Sequence, residues 1–269
     1  MKRSTPRPFF RFLALIRGVF RAPLDMRRLS FALLYGAICH VTFALAVMAM
    51  MIAMFHGMSA SFGRLSAPWA YLVNGLLIMQ FPLVHSLLLT RPGHHILSKM
   101  APSPFGNALT TTSYAIVAAI QLLMLFTLWS PSGIVWWHAT GLSYVVLCCL
   151  YAGSWLLLIW ASYDAGAEVQ SGALGWMSLA QNTKPVFPQM PTRGLFSIVR
   201  QPIYVAFAMT TWTVPVWTPD QLFLATTLTA YCLLAPRLKE RRFAKRYGPR
   251  FEAYKRCVNY AVPRFGKHR

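Results

Sequence analysis

Along most of this chain the apolar residues come in runs of membrane-spanning length rather than at the spacing of a surface helix. Runs at 31–54, 68–90, 110–129 and 142–162 predict four spanning helices. A longer run, 203–235, is interrupted at Pro215, Pro219 and Asp220. It is too long for one span and predicts a fifth and sixth, joined by a tight Trp-Thr-Pro-Asp turn. The polar stretch before it, 163–200, carries Pro185, Pro188 and Pro191, which deny a continuous helix and predict an extended segment.

Two basic ends frame this pattern. Residues 1–30 form an arm in which Arg11, Arg17, Arg21, Arg27 and Arg28, after Lys2, Arg3 and Arg7, alternate with Phe9, Phe12, Leu13, Ile16 and Val19. That mixture suits an amphipathic helix on anionic inner-leaflet lipids, or a flexible tail that serves only as a topology signal. The arm lacks a signal-like apolar core, so no cleavable signal peptide is expected. Residues 236–269 form a basic, helical tail. The expected organisation is an N-terminal arm (1–30), a transmembrane domain (31–235) and a C-terminal segment (236–269).

Composition agrees. Hydrophobic residues make up 56% and charged residues only 12%, against about 25% in an ordinary soluble domain. The net charge of +20 could suggest nucleic acid, but the cations flank the apolar runs. In the expected topology every Lys and Arg except Arg64 falls on one side of the membrane. That asymmetry predicts an even number of spans with both termini cytoplasmic. The fold class expected is all-α: a polytopic membrane protein of about six spans with a cytoplasmic C-terminal helical cradle. No nucleic-acid partner is expected, and no protein partner can be inferred.

Several polar residues inside the runs are candidates for chemistry. Asn74, Gln80 and His85 sit in the second run, and an ionisable residue at membrane depth is a functional candidate by default. His85 therefore ranks as a substrate candidate, against the plainer reading of a histidine bonded to a neighbouring helix. Met48, Met50, Met51, Met54 and His40 could be read as a copper path, but they share no helical face and methionine readily fills apolar space. The five cysteines show no CxxC spacing. No metal site is expected. A transporter would show an inverted repeat or paired broken helices, and neither is visible.

The densest polar vocabulary lies in two blocks, 192–204 (TRGLFSIVRQPIY) and 237–263 (RLKERRFAKRYGPRFEAYKRCVNYAVP). In the first, Pro202 suits the first turn of a helix, where its missing N–H is harmless and neighbouring amides stay free to bind. In the second, Glu240 is placed about one turn into the tail helix. A carboxylate among Arg237, Lys239, Arg241 and Arg242 is a cofactor ligand or a plain surface salt bridge, and its neighbours do not decide between these.

The block 194–204 resembles the G-x-Y-x-x-x-R-H-P-x-Y motif of integral membrane methyltransferases. This superfamily includes the isoprenylcysteine carboxyl, phospholipid and methanethiol S-methyltransferases, with the NnrU-type proteins nearby. Trp212, Pro215 and Tyr231, the pattern from Glu240 through Gly248, Phe251 and Tyr254, and the closing Val258 and Pro263 are similar too. His85-Ser86 with Arg91-Pro92 resembles a segment of the methanethiol and NnrU-type branch. The likeness covers roughly residues 70–265.

It implies a cytoplasmic S-adenosylmethionine site and a bacterial inner-membrane location. Carried over by motif, the cofactor residues are Pro188, Gln189, Met190, Pro191, Phe196, Gln201, Pro202, Ile203, Tyr204 and Glu240. Arg237 joins His85 as a substrate candidate. The acceptor implied is a small thiol or lipid-soluble molecule, and such acceptors need no strong general base. The departures are Gln201 for the motif histidine, Lys239 for the first residue of a Glu-Glu pair, and no recognisable N-H-F-D-like stretch at 164–168. They keep open a non-catalytic NnrU-type relative with the fold retained and the pocket drifted.

Overall fold

The structure, a computed structural model, describes residues 8–263, the side chains from Phe10 onward. Lys2, Arg3 and Arg7 of the basic arm, with Arg264, Lys267 and Arg269 of the tail, lie outside the described residues. The described chain is almost entirely helical: α1 (Pro8–Phe20), α2 (Met26–Phe55), α3 (Trp69–Leu88), α4 (Arg91–Lys99), α5 (Gly106–Leu128), α6 (Gly141–Gln170), α7 (Ala173–Ala180), α8 (Pro202–Trp212), α9 (Pro219–Tyr247) and α10 (Pro249–Cys257). Two-residue strands, β1 (Trp137–His138) and β2 (Val216–Trp217), pair antiparallel.

Among the described residues four helices, α2, α3, α5 and α6, are long and apolar enough to cross a membrane. This is an all-α membrane protein. The last apolar run behaves differently from the first four. It forms α8 and α9 with a turn at 213–218 between them, but α8 has 11 residues, a rise of about 17 Å against a hydrocarbon core of about 30 Å. α9 runs unbroken through Pro236 from the apolar run into the basic tail, so Glu240 lies deep in a long helix rather than one turn into a new one.

The chain forms two compact units. Of the described residues, the first holds 8–53, 58–131 and 165–187. Its core gathers Ala32, Leu109, Leu179 and Ala180, with Val19 of α1 packed against it. α1 is a docked helix: Arg11 Nε lies 2.6 Å from a carboxylate oxygen of the fully buried Glu168, and Arg11 also bonds Val186 O. The polar residues of α3 bind the α5 segment. Gln80 and Gln121 exchange amide–carbonyl hydrogen bonds at 3.0 Å, and Asn74 Nδ2 donates to Ser130 O at 2.8 Å. Such bonds in a bundle are worth about 0.6 kcal/mol each.

The second unit holds residues 54–57, 132–164 and 188–263. Thr218 caps α9 by accepting from Gln221 N at 2.9 Å, and its own hydroxyl donates to Gly57 O at 2.6 Å. Trp212 Nε1 donates to Thr229 Oγ1 at 2.8 Å, tying the end of α8 to α9. The proline cluster carries no helix, as expected from its lost amides.

Candidate functional site

Both motif blocks fall in the second unit and converge there. The approach to α8 is set by Gly194, whose φ of +60° suits glycine and whose missing Cβ leaves room for the Asp164 carboxylate. Asp164 Oδ2 accepts from Leu195 N at 2.8 Å, starting a short 3₁₀ turn (Gly194–Ser197) that buries Phe196. The chain then runs alongside the C-terminal segment. Arg200 N donates to Asn259 O at 2.8 Å and Gln201 N to Tyr260 O at 3.1 Å. α8 begins at Pro202, the first-turn position expected of it.

Glu240 comes from α9, and its partner is not one of its neighbours in the tail. Arg200 meets it with a two-pronged fork, Nε to Oε1 at 2.8 Å and Nη2 to Oε2 at 3.3 Å. Gln201 Nε2 donates to the same Oε1 at 2.9 Å. The third guanidinium nitrogen bonds Val258 O and Lys255 O, and the Arg200 cation lies 5.6 Å from the Tyr260 ring centroid. This is a shielded pair, its side chains 9% and 14% exposed. The surface-salt-bridge reading of Glu240 therefore gives way to a junction that joins three parts of the chain.

Gln201 Oε1 is buried and has no hydrogen-bond partner among the described residues. Gln201 also lines two cavities. A small one, about 10 Å³, is walled by Pro191, Phe196, Lys239, Glu240, Phe251 and Tyr254 among others, so that charged groups and rings share it. The other is almost wholly apolar, about 310 Å³, and runs between α8 and α9 past Tyr204, Ala208, Trp212, Thr229 and Cys232. Gln201 and Arg200 thus stand where a small recess adjoins an apolar groove.

Lys239 places its ammonium among aromatic rings: 5.6 Å from the Phe196 centroid, 5.8 Å from Tyr204 and 5.6 Å from Phe243. Burial pushes its pKa down to about 8; the Glu240 carboxylate works against that shift and Arg242 adds to it. Tyr254, whose hydroxyl donates to Phe196 O at 2.6 Å, is pushed up to about 12, chiefly by burial.

Comparison with known proteins bears on what such a junction is for. The chain is 29% identical over 199 residues to a methanethiol S-methyltransferase of Pseudomonas deceptionensis, covering 74% of each. It is 26% identical to the enzyme of that name from Crocosphaera subtropica over 88% of this chain and 94% of the other. A third, methanethiol S-methyltransferase 2 of Bradyrhizobium diazoefficiens, is 27% identical over 72% of this chain and 74% of its own. These likenesses support the membrane methyltransferase branch. No family model and no solved structure matches the chain.

The expected cofactor residues divide into three groups. Pro191, Phe196, Gln201 and Glu240 share the small recess, and Tyr204 joins them through Lys239. Pro202 is buried at the helix start, Met190 is buried nearby in sequence, and Pro188 and Ile203 are half-buried; none of these four lines either cavity. Gln189 is exposed, its Oε1 3.5 Å from Arg250 Nη1. Of the substrate candidates, Arg237 is exposed and interacts with Tyr260. His85 belongs to the first unit, where its Nε2 lies 2.6 Å from the Tyr114 hydroxyl of α5. That is the plainer reading of it, a histidine tied to a neighbouring helix.

The residues that motif reasoning missed are Arg200 as the partner of Glu240, and Phe243, Tyr254 and Tyr260 as walls; Lys239, singled out as a departure from the motif, lies on the Phe196 and Tyr204 rings. Arg200 and Tyr254 were visible as fixed letters of the two motifs. Nothing in the local pattern singles out Phe243.

Proposed function

We propose that this chain is an integral membrane methyltransferase that uses S-adenosylmethionine to methylate a small thiol, methanethiol or a close analogue, or another lipid-soluble acceptor. The observation that carries the reading is the junction of Gln201 and Glu240. Two residues 39 positions apart, each in a motif block, meet at 2.9 Å beside an aromatic wall. The names of the similar proteins supply the reaction class and the acceptor.

The residues present fit such a cofactor. The orphaned Gln201 Oε1 is an acceptor for an ammonium or hydroxyl group, and the rings of Phe196 and Tyr204 suit a flat base or a cation. Bound S-adenosylmethionine supplies an electrophilic methyl group on a sulfonium. Glu240, held by Arg200, fixes the Gln201 amide and so the orientation of its free oxygen. The groove between α8 and α9 gives an apolar acceptor a route to Gln201 and keeps water from it. Proximity and water exclusion carry most of such a transfer.

With α8 and α9 entering and leaving the membrane from one side as a hairpin, added to the four long helices, both termini and the cradle face the cytoplasm of a bacterial inner membrane. The cations of α1 and the tail then meet anionic headgroups.

One observation favours a second reading, a non-catalytic NnrU-type relative: the Lys239 ammonium lies on the very rings the cofactor would use. Methyl transfer from labelled S-adenosylmethionine to methanethiol, by protein in liposomes, separates the two. The enzyme reading expects product formation that Gln201→Ala and Glu240→Ala each reduce at least about a hundredfold. Unchanged rates in both variants would sink the site. No transfer to any thiol or lipid, with no cofactor binding, selects the second reading.

A further inference from the structure

We propose that Phe196, Tyr204 and Phe243 form an onium-binding subsite, held by the Lys239 ammonium until a ligand's own sulfonium displaces it. The inference rests on the cofactor reading of this cradle and names the chemistry of one part of it.

The geometry is that of a cation cage. Three rings from three places, the 3₁₀ turn, α8 and α9, converge on one nitrogen at 5.6–5.8 Å, within the distance at which a ring face attracts a cation. The carboxylate that acts on Lys239, Glu240, is turned to Arg200 and Gln201, and among the described residues no ion pair to Lys239 is formed. The cage therefore recognises positive charge by its rings, and a sulfonium is more weakly hydrated than an ammonium and enters such a site more readily. Two cations cannot share it. The side chain that must leave is a flexible four-carbon stem whose charged end is readily hydrated, so release into water is open to it. The recess beyond the cage is small and contains the polar groups of Gln201 and Glu240, the partners a sulfonium-bearing amino acid would reach next.

Proton linkage distinguishes displacement from coexistence. The charged and titratable groups around Lys239 are Glu240 and Arg242 on α9, Tyr204 on α8, Arg200 just before α8 and Tyr254 on α10. In the cage Lys239 titrates near 8, and released into water it returns toward its ordinary value of about 10.4. A ligand that expels it therefore takes up a proton between those pH values. A ligand that binds beside it, leaving the amine in place, lowers its pKa further and takes up none; at pH 9 an amine that titrates near 8 is already about nine-tenths neutral, so almost nothing is released.

The test titrates the full-length protein in detergent with S-adenosylmethionine, with its neutral thioether product, and with trimethylsulfonium as the smallest probe of the class. Wild type is compared with Lys239→Met, and calorimetry at pH 9 in two buffers of different ionisation enthalpy counts protons. The subsite predicts that Lys239→Met binds both sulfonium probes about tenfold tighter, with the thioether nearly unchanged, and that wild type takes up a proton. If S-adenosylmethionine binds neither protein while trimethylsulfonium still gains from the substitution, the subsite stands and the cofactor reading fails. If S-adenosylmethionine binds both proteins equally, the cofactor reading stands and displacement is overturned. Trimethylsulfonium binding to wild type without proton uptake, or no trimethylsulfonium binding to either protein, also overturns it. The proton count uses wild type alone, so it decides the matter even if the variant does not fold.

Discussion

The Arg200 fork gives the sharpest quantitative expectation. Arg200→Lys keeps the charge and most of the length but replaces a planar fork with a point donor. In the native cradle the guanidinium contacts both Glu240 oxygens and the carbonyls of Val258 and Lys255. A lysine reaching Glu240 at one oxygen leaves the two carbonyls without that donor and loses one prong. Three lost bonds at about 0.5–1.5 kcal/mol each, partly recovered by water, give about 2–3 kcal/mol. The cost falls where the C-terminal segment is held to residues 199–201, so it should appear as local opening. The amides of Arg200 and Gln201, which donate to Asn259 O and Tyr260 O, are the reporters. Hydrogen exchange of peptides covering 198–202 and 257–261 should quicken by about 30- to 150-fold, with peptides of α3 and α5 unchanged. Acceleration of less than about threefold would mean that the fork does not hold the segment, and the assignment of Glu240 as its anchor would fall with it.

Three further outcomes follow from the same structure. Because burial lowers Lys239 below its unfolded value, the unfolded chain binds more protons between pH 8 and about 10, and cradle stability should rise over that range. Above it stability should fall, as unfolding frees Tyr254 from its raised pKa; exchange of cradle peptides against pH reads both limbs, and Lys239→Met should remove the rise alone. Arg11→Met strands the buried Glu168 carboxylate and should cost about 3 kcal/mol in the first unit, measured by thermal melting in detergent. Adding Glu168→Gln should recover most of it. Gly194→Ala forces a Cβ against the Asp164 carboxylate at a positive φ, and should open the 3₁₀ turn and lower cofactor binding at least tenfold, read by calorimetry.

How much of this was legible beforehand differs by element. The helices α2, α3, α5 and α6 fall within a few residues of the apolar runs that predict them, except that α6 goes on eight residues past its run across a kink at Gly166, whose φ is +108°. A run of spanning length is a local property, and the bilayer it answers to is uniform, so no tertiary information is needed. The start of α8 at Pro202 and the absence of helix in the proline stretch were readable for the same reason: both follow from a missing N–H.

Three things were settled only by packing. The length of α8 was hidden because the interruption at Pro215 marks where a helix stops but not whether what precedes it can span. The partner of Glu240 was hidden because four cations stand within three residues of it, while the one that binds it lies 40 positions away. Charge density along a chain says nothing about which guanidinium the fold delivers with its fork aligned. Last, Lys239 reads in the sequence as a cation standing where the motif has a carboxylate, but nothing local says where its ammonium goes. Only the meeting of a 3₁₀ turn, α8 and α9 puts three rings around its nitrogen, because rings drawn from three elements can converge only after those elements have packed.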